Sequence, residues 1–383
     1  MTGPSENCTA QGRIDLKLPQ RILLGPGPSI ADPRVLRAMA APLVGHLDPE
    51  FLRLMNGVME GLRLVFETQN QLTLPMSGTG SAGMETCLVN LLEPGDRAAI
   101  CINGVFGQRM ADIAERAGAR VTRIEAPWGR AFDPATIKEA LAKEKFDVVA
   151  IVHAETSTGV LQPLEEIGQI VREHGALFVV DAVTSLGGVR VGVDRHLIDA
   201  CYSGTQKCLS CPPGLSPVTF GPQAMQKLQS RKTKVQSWYL DLTMIAQYWG
   251  AERVYHHTAP ISMMYALAES LNIVLEEGLA AREERHRAIS RLFVEGLAEL
   301  GLEPFVPAEI RAPMLVTVKV PDGVDEAAVR KFLLDRHNIE IGGGLGPLKG
   351  KIWRVGLMGS SCTENNVLLL LEGLRRALAA ARA

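Results

Sequence analysis

The chain has 383 residues, of which 46% are hydrophobic and 21% charged, and its 40 Lys and Arg against 42 Asp and Glu leave a net charge of −2. This balance is typical of a globular protein, and without a basic excess we expect neither nucleic acid nor a membrane surface as a partner. The polar segment 1–13 lacks a signal-peptide core, no apolar run is long enough to span a bilayer, and seven cysteines are scattered. We therefore expect a cytoplasmic protein of two or three folding units in a reducing compartment.

Short apolar strands alternate with helices between residues 72 and 220. Asp133-Pro134 is typical of a helix start, with Asp as the N-cap and Pro at the first helical position. Alternation of this kind predicts a mostly parallel sheet covered by helices on both faces. The predicted strands are 97–102, 120–124, 147–152, 177–180 and 200–202, and the predicted helices are 108–117, one from 134, and 164–174.

The C-terminal part has a different pattern, which predicts a smaller α+β unit. Strands are expected at 314–320 and 352–357, helices at 326–336 and 364–380, and a glycine-rich turn at 342–344. A long helical stretch at 263–300 predicts the connection between the two units. We therefore predict an N-terminal arm at 1–22, a large domain at 23–278 and a small domain at 279–383.

Lys207 and Asp181 are the first candidate catalytic pair. Lys207 follows a turn of small residues after the strand at 200–202, and Asp181 ends an apolar strand, where a charged residue rarely lacks a partner. Ligands of open α/β sheets bind at the carboxyl ends of the strands. A lone lysine is usually a surface residue, but a lysine with a lowered pKa can form a Schiff base, and a buried carboxylate can keep a pyridine nitrogen protonated. The pair therefore indicates a pyridoxal-phosphate site.

The glycine-rich segment 76–83, followed by a helix, is a candidate phosphate site. Its backbone N–H groups would face an anion at the N-terminus of the helix. Gly78-x-Gly80-x-x-Gly83 also matches the dinucleotide-binding fingerprint. The acidic residue nearest the expected distance, Asp96, lies in a turn before a strand, where it would not bind a ribose. The context thus favours a phosphate over a nicotinamide dinucleotide.

Arg354 is the candidate for binding a substrate carboxylate. It lies in an apolar strand beyond the glycine-rich turn, and a planar guanidinium holds a carboxylate through two parallel hydrogen bonds. The alternative is a solvated arginine on an edge strand. No second arginine is evident for a distal carboxylate, which favours a small substrate.

These elements, in this order, resemble the class V branch of the fold-type I pyridoxal-phosphate transferases, and within it the alanine–glyoxylate (serine–pyruvate) aminotransferases. The resemblance runs from about residue 24 to 357. The fold it implies is α/β, with a mostly parallel seven-stranded sheet covered by helices and a smaller C-terminal α+β domain. The segments that carry the resemblance are 24–29, 48–51, 88–96, 103–108, 155–163, 181–188, 202–207, 230–234, 255–258 and 343–347.

The resemblance also implies a role for individual residues. Lys207 would hold the cofactor and move the substrate proton, Asp181 would pair with the ring nitrogen, and Arg354 would bind the substrate carboxylate, helped by the backbone near Gly27. The remaining cofactor contacts implied are Thr79, Gly80, Ser81 and Gln206 at the phosphate, Phe106 on the ring face, Thr156 near the ring hydroxyl, and Tyr255 and Thr258 from a neighbouring subunit. Because Tyr255 and Thr258 would reach the cofactor of a neighbouring subunit, the resemblance also implies a homodimer with shared active sites.

The implied reaction is transamination of alanine or serine with glyoxylate, giving pyruvate or hydroxypyruvate and glycine. Relatives often carry His and Ser at the positions of Ser81 and Thr156, which leaves the preferred donor open. The alternatives are serine–pyruvate or another small-substrate transamination, a lyase, a scaffold that binds the cofactor without catalysis and, remotely, an NAD-dependent dehydrogenase. A cysteine desulfurase is disfavoured because Cys362 follows Arg354. Cys208-x-x-Cys211 lacks further ligands, so we expect no metal.

Overall fold

The structure is a computed structural model that describes residue 14 and residues 16–382. The predicted arm at 1–22 lies largely outside these residues. Within them the fold is α/β, as predicted. None of the described helices combines the length and the apolar character needed to cross a membrane.

Strands and helices alternate along most of the described residues. The strands are β1 Ile22–Leu23, β2 Leu72–Ser77, β3 Arg97–Ile102, β4 Arg120–Glu125, β5 Val148–Val152, β6 Ala154–Glu155, β7 Val160–Leu161, β8 Leu177–Asp181, β9 Ala200–Tyr202, β10 Leu215–Phe220, β11 Leu315–Lys319, β12 Ile339–Glu340, β13 Gly342–Gly343 and β14 Ile352–Gly356. The α-helices are α1 Pro33–Met39, α2 Pro49–Phe66, α3 Gly80–Leu91, α4 Val105–Arg116, α5 Pro134–Leu141, α6 Glu165–His174, α7 Pro222–Gln229, α8 Leu242–Trp249, α9 Ile261–Glu277, α10 Leu279–Glu299, α11 Glu326–His337 and α12 Glu364–Arg382. Short 3-10 helices occur at Ala308–Ile310, Gly346–Leu348 and Gly359–Ser361.

Three helices begin with the same local signal, an Asp N-cap followed by Pro. The side chains of Asp32, Asp48 and Asp133 each accept a hydrogen bond from the backbone N–H two residues further on. Pro at the first helical position loses nothing there, because that N–H has no partner within a helix. The predicted start of α5 at Asp133-Pro134 is thereby confirmed.

The central sheet has seven strands in the order β2-β10-β9-β8-β5-β3-β4, which confirms the predicted mostly parallel sheet. Only β10 runs against its neighbours within this sheet, pairing antiparallel with both β2 and β9. Strands β5 and β8 are buried along their whole length, as expected for a sheet covered on both faces. The carboxyl ends of β2, β3, β5, β8 and β9 therefore meet at one edge, which is where the site is built.

The C-terminal part forms a second, three-stranded antiparallel sheet in the order β11-β14-β13. The prediction of a glycine-rich turn at 342–344 was wrong in part, because Gly342 and Gly343 pair with Arg354 and Trp353 as an edge strand. Glycine is needed there for close packing, since a Cβ on Gly342 would approach Pro26 Cδ to 2.5 Å and one on Gly343 would approach Glu326 Oε1 to 2.6 Å.

The division into a large and a small domain stays a proposal, and two features support it. Gly278, with φ +81°, lies between the end of α9 and the start of α10. The buried apolar residues form one large cluster around the central sheet and a separate one that includes Phe293, Val316, Trp353 and Leu370. A small third cluster contains residues from both parts of the chain, with Ala154, Cys208 and Met314 among its members.

Candidate active site

Lys207 lies in the segment that follows β9, and its side chain is 8% exposed. Its Nζ donates a hydrogen bond to the backbone oxygen of Pro26. Gly27 lies directly against the same side chain: a Cβ there would come within 2.8 Å of Lys207 Cδ, and its φ of +118° is one that L-residues rarely adopt. Burial, assisted by the positive charge of Arg354, lowers the pKa of Lys207 to about 8. The amine is therefore available as a nucleophile near neutral pH.

Asp181 is the last residue of β8, the strand that pairs with β9, and it is 2% exposed. Val183 N donates to its Oδ1 at 2.8 Å, and the Tyr202 hydroxyl donates to its Oδ2 at 2.9 Å. Burial raises the pKa of Asp181 to about 7, although the two donors act in the opposite direction. A buried carboxyl group with a raised pKa is stabilised in its charged form by a cation placed against it. A protonated ring nitrogen would be such a cation.

The loop between β2 and α3 forms the other end of the same cavity. Thr79 is the N-cap residue of α3, but its side chain makes no capping hydrogen bond. Ala82 N donates to Thr79 O at 2.7 Å, but the N–H groups of Gly80 and Ser81 precede the first helical hydrogen bond and can bind an anion. Gln206 lines the cavity beside this loop, and its amide nitrogen can donate to an anion. Its buried Oε1, an acceptor, has no hydrogen-bond partner in the described part of the chain and cannot serve this purpose. This end can therefore bind an anion with donors that are not otherwise used.

The two ends belong to one cavity of about 220 Å³. Its lining residues are Thr79, Gly80, Ser81, Met84, Phe106, Arg109, Asp181, Val183, Gln206 and Lys207. Seven of the predicted site residues are thus brought together: Thr79, Gly80, Ser81, Phe106, Asp181, Gln206 and Lys207. Larger hollows of about 520, 650, 240 and 470 Å³ lie elsewhere in the described part of the chain, and none of these four is lined by a predicted site residue.

Phe106 lies in the first turn of α4, where Glu155 holds the backbone. Glu155 is 1% exposed, and its Oε2 accepts from Phe106 N at 3.2 Å. Its Oε1 accepts from the N–H and the hydroxyl of Ser157, at 3.0 and 2.5 Å. Gly104 is required beside it, because a Cβ there would overlap both carboxylate and hydroxyl. Glu155 thus fixes the Phe106 ring relative to the loop that carries Thr156.

Arg354 reaches from the three-stranded sheet to the loop between β6 and β7, which carries Thr156, and is 8% exposed. Its Nε donates to Gly343 O at 2.7 Å and its Nη1 to Thr156 O at 3.3 Å. Burial lowers its pKa to about 10, and the charge of Glu155 opposes this shift. The group therefore stays charged at neutral pH. The Thr156 hydroxyl lies 2.5 Å from that of Thr184.

Tyr255 and Thr258 are not brought to the cavity of their own chain. Neither lines it, and Tyr255 is 57% exposed, with its ring centroid 5.2 Å from that of His46. The adjacent His256 stacks on Trp238 at 4.4 Å, and Trp238 is itself 60% exposed. The predicted contact of Tyr255 and Thr258 with the cofactor of a neighbouring subunit stays a prediction.

Glu155 and Tyr202 contribute to the site in ways that the sequence analysis missed. Tyr202 is the last residue of β9 and is fully buried, with its hydroxyl on Asp181. The sequence contained a partial signal for each residue. Tyr202 ends an apolar strand and Glu155 follows one, both at the sheet edge that carries Asp181. Their hydrogen-bond partners were not predictable, because Glu155 and Phe106 are 49 residues apart.

The arrangement combines a buried amine, a buried carboxyl group, an anion site and an arginine, and comparisons with known proteins agree with it. The family model for class-V aminotransferases matches residues 23–354. The (S)-ureidoglycine–glyoxylate transaminase of Bacillus subtilis is 43% identical, over 96% of this chain and 92% of that protein. The alanine–glyoxylate aminotransferase of Rattus norvegicus is 44% identical, over 95% of this chain and 89% of that protein. A crystal structure of alanine–glyoxylate aminotransferase from Nostoc sp. superposes with a TM-score of 0.94 at 50% identity, covering 95% of this chain and 96% of that one. This chain is therefore an aminotransferase and belongs to the class-V family.

Proposed function

We propose that this protein is a pyridoxal-phosphate-dependent transaminase that transfers an amino group from a small amino acid, alanine or serine, to glyoxylate. The observation that carries the proposal is the cavity in which the Lys207 amine, of lowered pKa, lies together with the buried Asp181. Support for glyoxylate comes from the relatives, because the Bacillus and Rattus proteins both carry it in their names.

The residues present fit the cofactor. Asp181 is a buried carboxyl group of raised pKa that a protonated pyridine nitrogen would stabilise in its charged form. The amide nitrogen of Gln206, which can donate, and the first turn of α3, whose N-cap side chain makes no hydrogen bond, suit a phosphate. Phe106 offers an aromatic face for a planar ring, and Lys207 offers an amine for covalent attachment. When bound, pyridoxal phosphate supplies an electron sink for negative charge at the substrate Cα.

Each residue then has a distinct task. Arg354 binds the substrate carboxylate, which orients the amino group and Cα towards Lys207. With the cofactor bound, the free Lys207 Nζ would remove the proton from the substrate Cα and would return a proton in the reverse half-reaction. Asp181 would hold the ring nitrogen of the bound cofactor in its protonated form. The Pro26 oxygen, which accepts from Nζ, holds the amine in place.

The donor is proposed from the resemblance of the site motifs and from the relatives' names. Alanine is the donor in the name of the Rattus protein, whereas ureidoglycine is the donor in the name of the Bacillus protein. Serine is proposed from the resemblance of the site motifs to serine–pyruvate enzymes. Ureidoglycine is therefore the second candidate donor, and it is to be tested beside alanine and serine.

The deciding experiment is the visible absorption spectrum of the purified protein with pyridoxal phosphate, followed through additions of L-alanine, L-serine or ureidoglycine and then glyoxylate. We expect a visible band that bleaches with the true donor and returns with glyoxylate as glycine forms. Parallel initial-rate lines should accompany it, since the two half-reactions alternate. No band after incubation with the cofactor would overturn the cofactor assignment. Recovery with pyruvate but not glyoxylate would overturn the acceptor.

A homodimer with shared sites is part of the proposal. It is supported by the exposure of Tyr255, which the resemblance assigns to a partner's cofactor although it lies outside its own cavity. Light scattering should therefore give twice the chain mass, and Tyr255→Phe should weaken binding of pyridoxal phosphate. A monomer that binds the cofactor with full affinity would contradict this.

A further inference from the structure

We infer that Arg109 is the cation that neutralises and binds the cofactor phosphate at the α3 end of the cavity. The inference rests on the proposed function, because it requires pyridoxal phosphate as the cofactor. It adds a charged contact from within the same chain to the backbone donors and the Gln206 amide. None of the residues assigned to the phosphate by resemblance carries a positive charge.

Position is the first support. Arg109 lies in the second turn of α4 and lines the cavity beside Ser81 and Gln206. Its Nη1 donates to the Ser81 hydroxyl at 3.2 Å, and Ser81 is the second residue of α3. The guanidinium therefore lies at the helix N-terminus that binds the anion, and not at the Thr156 loop where Arg354 donates.

Unused charge is the second support. In the described part of the chain Arg109 forms no ion pair, and its only hydrogen bond is the one to Ser81. Arg116, two turns further along the same helix, pairs with Asp112 at 2.8 Å. An arginine has five N–H donors in a fixed fork, so Arg109 retains donors for phosphate oxygens. A charged side chain held at a cavity without a counter-ion is suited to an anionic ligand.

Charge balance is the third support. A phosphate ester at neutral pH carries a charge of about −1.5 to −2. Lys207 is used in covalent attachment, and Arg354 is taken up by the substrate carboxylate. The N-terminus of α3 offers a partial charge of only about +0.5. Arg109 is thus the remaining full positive charge among the cavity-lining residues.

Phe106 holds the guanidinium in place. Arg109 Cζ lies 4.8 Å from the centroid of the Phe106 ring, which is within the range of a cation–π contact. The contact and the Ser81 hydrogen bond restrain the side chain, so less entropy is lost when it binds the phosphate. The same residue that faces the cofactor ring therefore also positions the cation.

The test compares two ligands that differ only in the phosphate, pyridoxal phosphate and pyridoxal, in wild-type protein and in Arg109→Gln. Binding is followed by the visible absorption of the attached ligand. We expect the dissociation constant for pyridoxal phosphate to rise roughly 10- to 100-fold, as for loss of a charge-assisted hydrogen bond. The constant for pyridoxal should change less than about threefold, since no phosphate is present.

Arg116→Gln is the matched control, because it removes an arginine from the same helix outside the cavity. It should leave both dissociation constants unchanged. Arg109→Lys keeps the charge but loses the fork, so its affinity for pyridoxal phosphate should lie between those of the wild type and Arg109→Gln. If circular dichroism shows that Arg109→Gln does not fold, Arg109→Lys is compared with the wild type in its place.

The outcomes separate the inference from the proposed function. If the dissociation constants for pyridoxal phosphate and pyridoxal rise by the same factor in Arg109→Gln, the arginine only supports the Phe106 ring, and the inference is overturned. Unchanged affinity for pyridoxal phosphate in both Arg109 variants would overturn it too. If the wild type binds neither ligand, the cofactor assignment itself fails. Inorganic phosphate should compete with pyridoxal phosphate in the wild type and more weakly in Arg109→Gln.

Discussion

The two ends of the cavity differ in how many of their polar groups have hydrogen-bond partners within the chain. We call the part around Lys207 and Asp181 the ring end, and the part around Thr79, Gln206 and Arg109 the phosphate end. At the ring end, Asp181 has both oxygens hydrogen-bonded and Lys207 donates to Pro26 O, all in buried surroundings. At the phosphate end, the Thr79 side chain makes no capping bond, and Arg109 is exposed and donates only to the Ser81 hydroxyl within the described residues. The ring end is organised by the chain itself, whereas the phosphate end acquires its partners from the ligand. We therefore expect changes at the ring end to alter catalysis, and changes at the phosphate end to alter cofactor affinity.

Replacing Lys207 by Ala should have the largest effect and tests the ring end most directly. Loss of both the covalent attachment and the proton carrier should lower kcat by at least about 10⁴-fold. Cofactor should still bind noncovalently through the phosphate end, which dialysis followed by absorbance can measure. Lys227→Ala is the control, since Lys227 pairs with Asp96 outside the cavity. Full turnover in Lys207→Ala would overturn the catalytic assignment.

Asp181→Asn and Gln206→Ala should separate the two ends. The neutral amide cannot hold the ring nitrogen protonated, so kcat of Asp181→Asn should fall roughly 10²- to 10³-fold. Gln206→Ala should weaken cofactor binding about 10-fold, while kcat at saturating cofactor changes little. Steady-state kinetics with a cofactor titration measures both quantities. If Gln206→Ala lowered kcat as strongly as Asp181→Asn, the distinction between the ends would be lost.

The rate of cofactor attachment should depend on the pKa of Lys207. Only the neutral amine attacks, so the rate should rise with pH and level off above about 8, the pKa that burial and Arg354 produce. Removing the Arg354 charge in Arg354→Gln should raise that pKa and move the midpoint to higher pH. Stopped-flow absorbance between pH 6 and pH 10 measures the midpoint. A midpoint that stays in place, or moves down, would show that Arg354 does not act on Lys207.

Tyr202→Phe should give the smallest effect, because it removes one of two donors to Asp181 and keeps the packing. The pKa of Asp181 should rise, since a hydrogen bond to its charged form is lost. We expect kcat to fall roughly 3- to 10-fold, less than in Asp181→Asn. Tyr248→Phe, which removes a buried hydroxyl bonded to His46 O, is the control. An unchanged pH profile of kcat in Tyr202→Phe would contradict a role for its hydroxyl at Asp181.

The sequence was sufficient to predict the elements that carry the central site. Local signals predicted the Asp133-Pro134 start of α5 and the apolar strands β3, β5 and β8, because caps and periodicity act over a few residues. Lys207 and Asp181 were predicted to meet because parallel strands present their carboxyl ends at one edge. Arg354 was chosen for its chemistry, and its strand was predicted within one residue of the observed end.

Other features depended on contacts between residues distant in sequence, which only the tertiary structure decided. Gly342 and Gly343 form an edge strand and not a turn, because they pair with Arg354 and Trp353 of β14. Arg354 donates to Thr156 O across 198 positions of sequence, and Glu155 binds the start of α4 across 49. Such contacts follow from how the two sheets pack, and no local pattern encodes them. The sequence thus determined which groups lie at the sheet edge, while the packing of the chain decided their partners, their burial and hence the pKa values of Lys207 and Asp181.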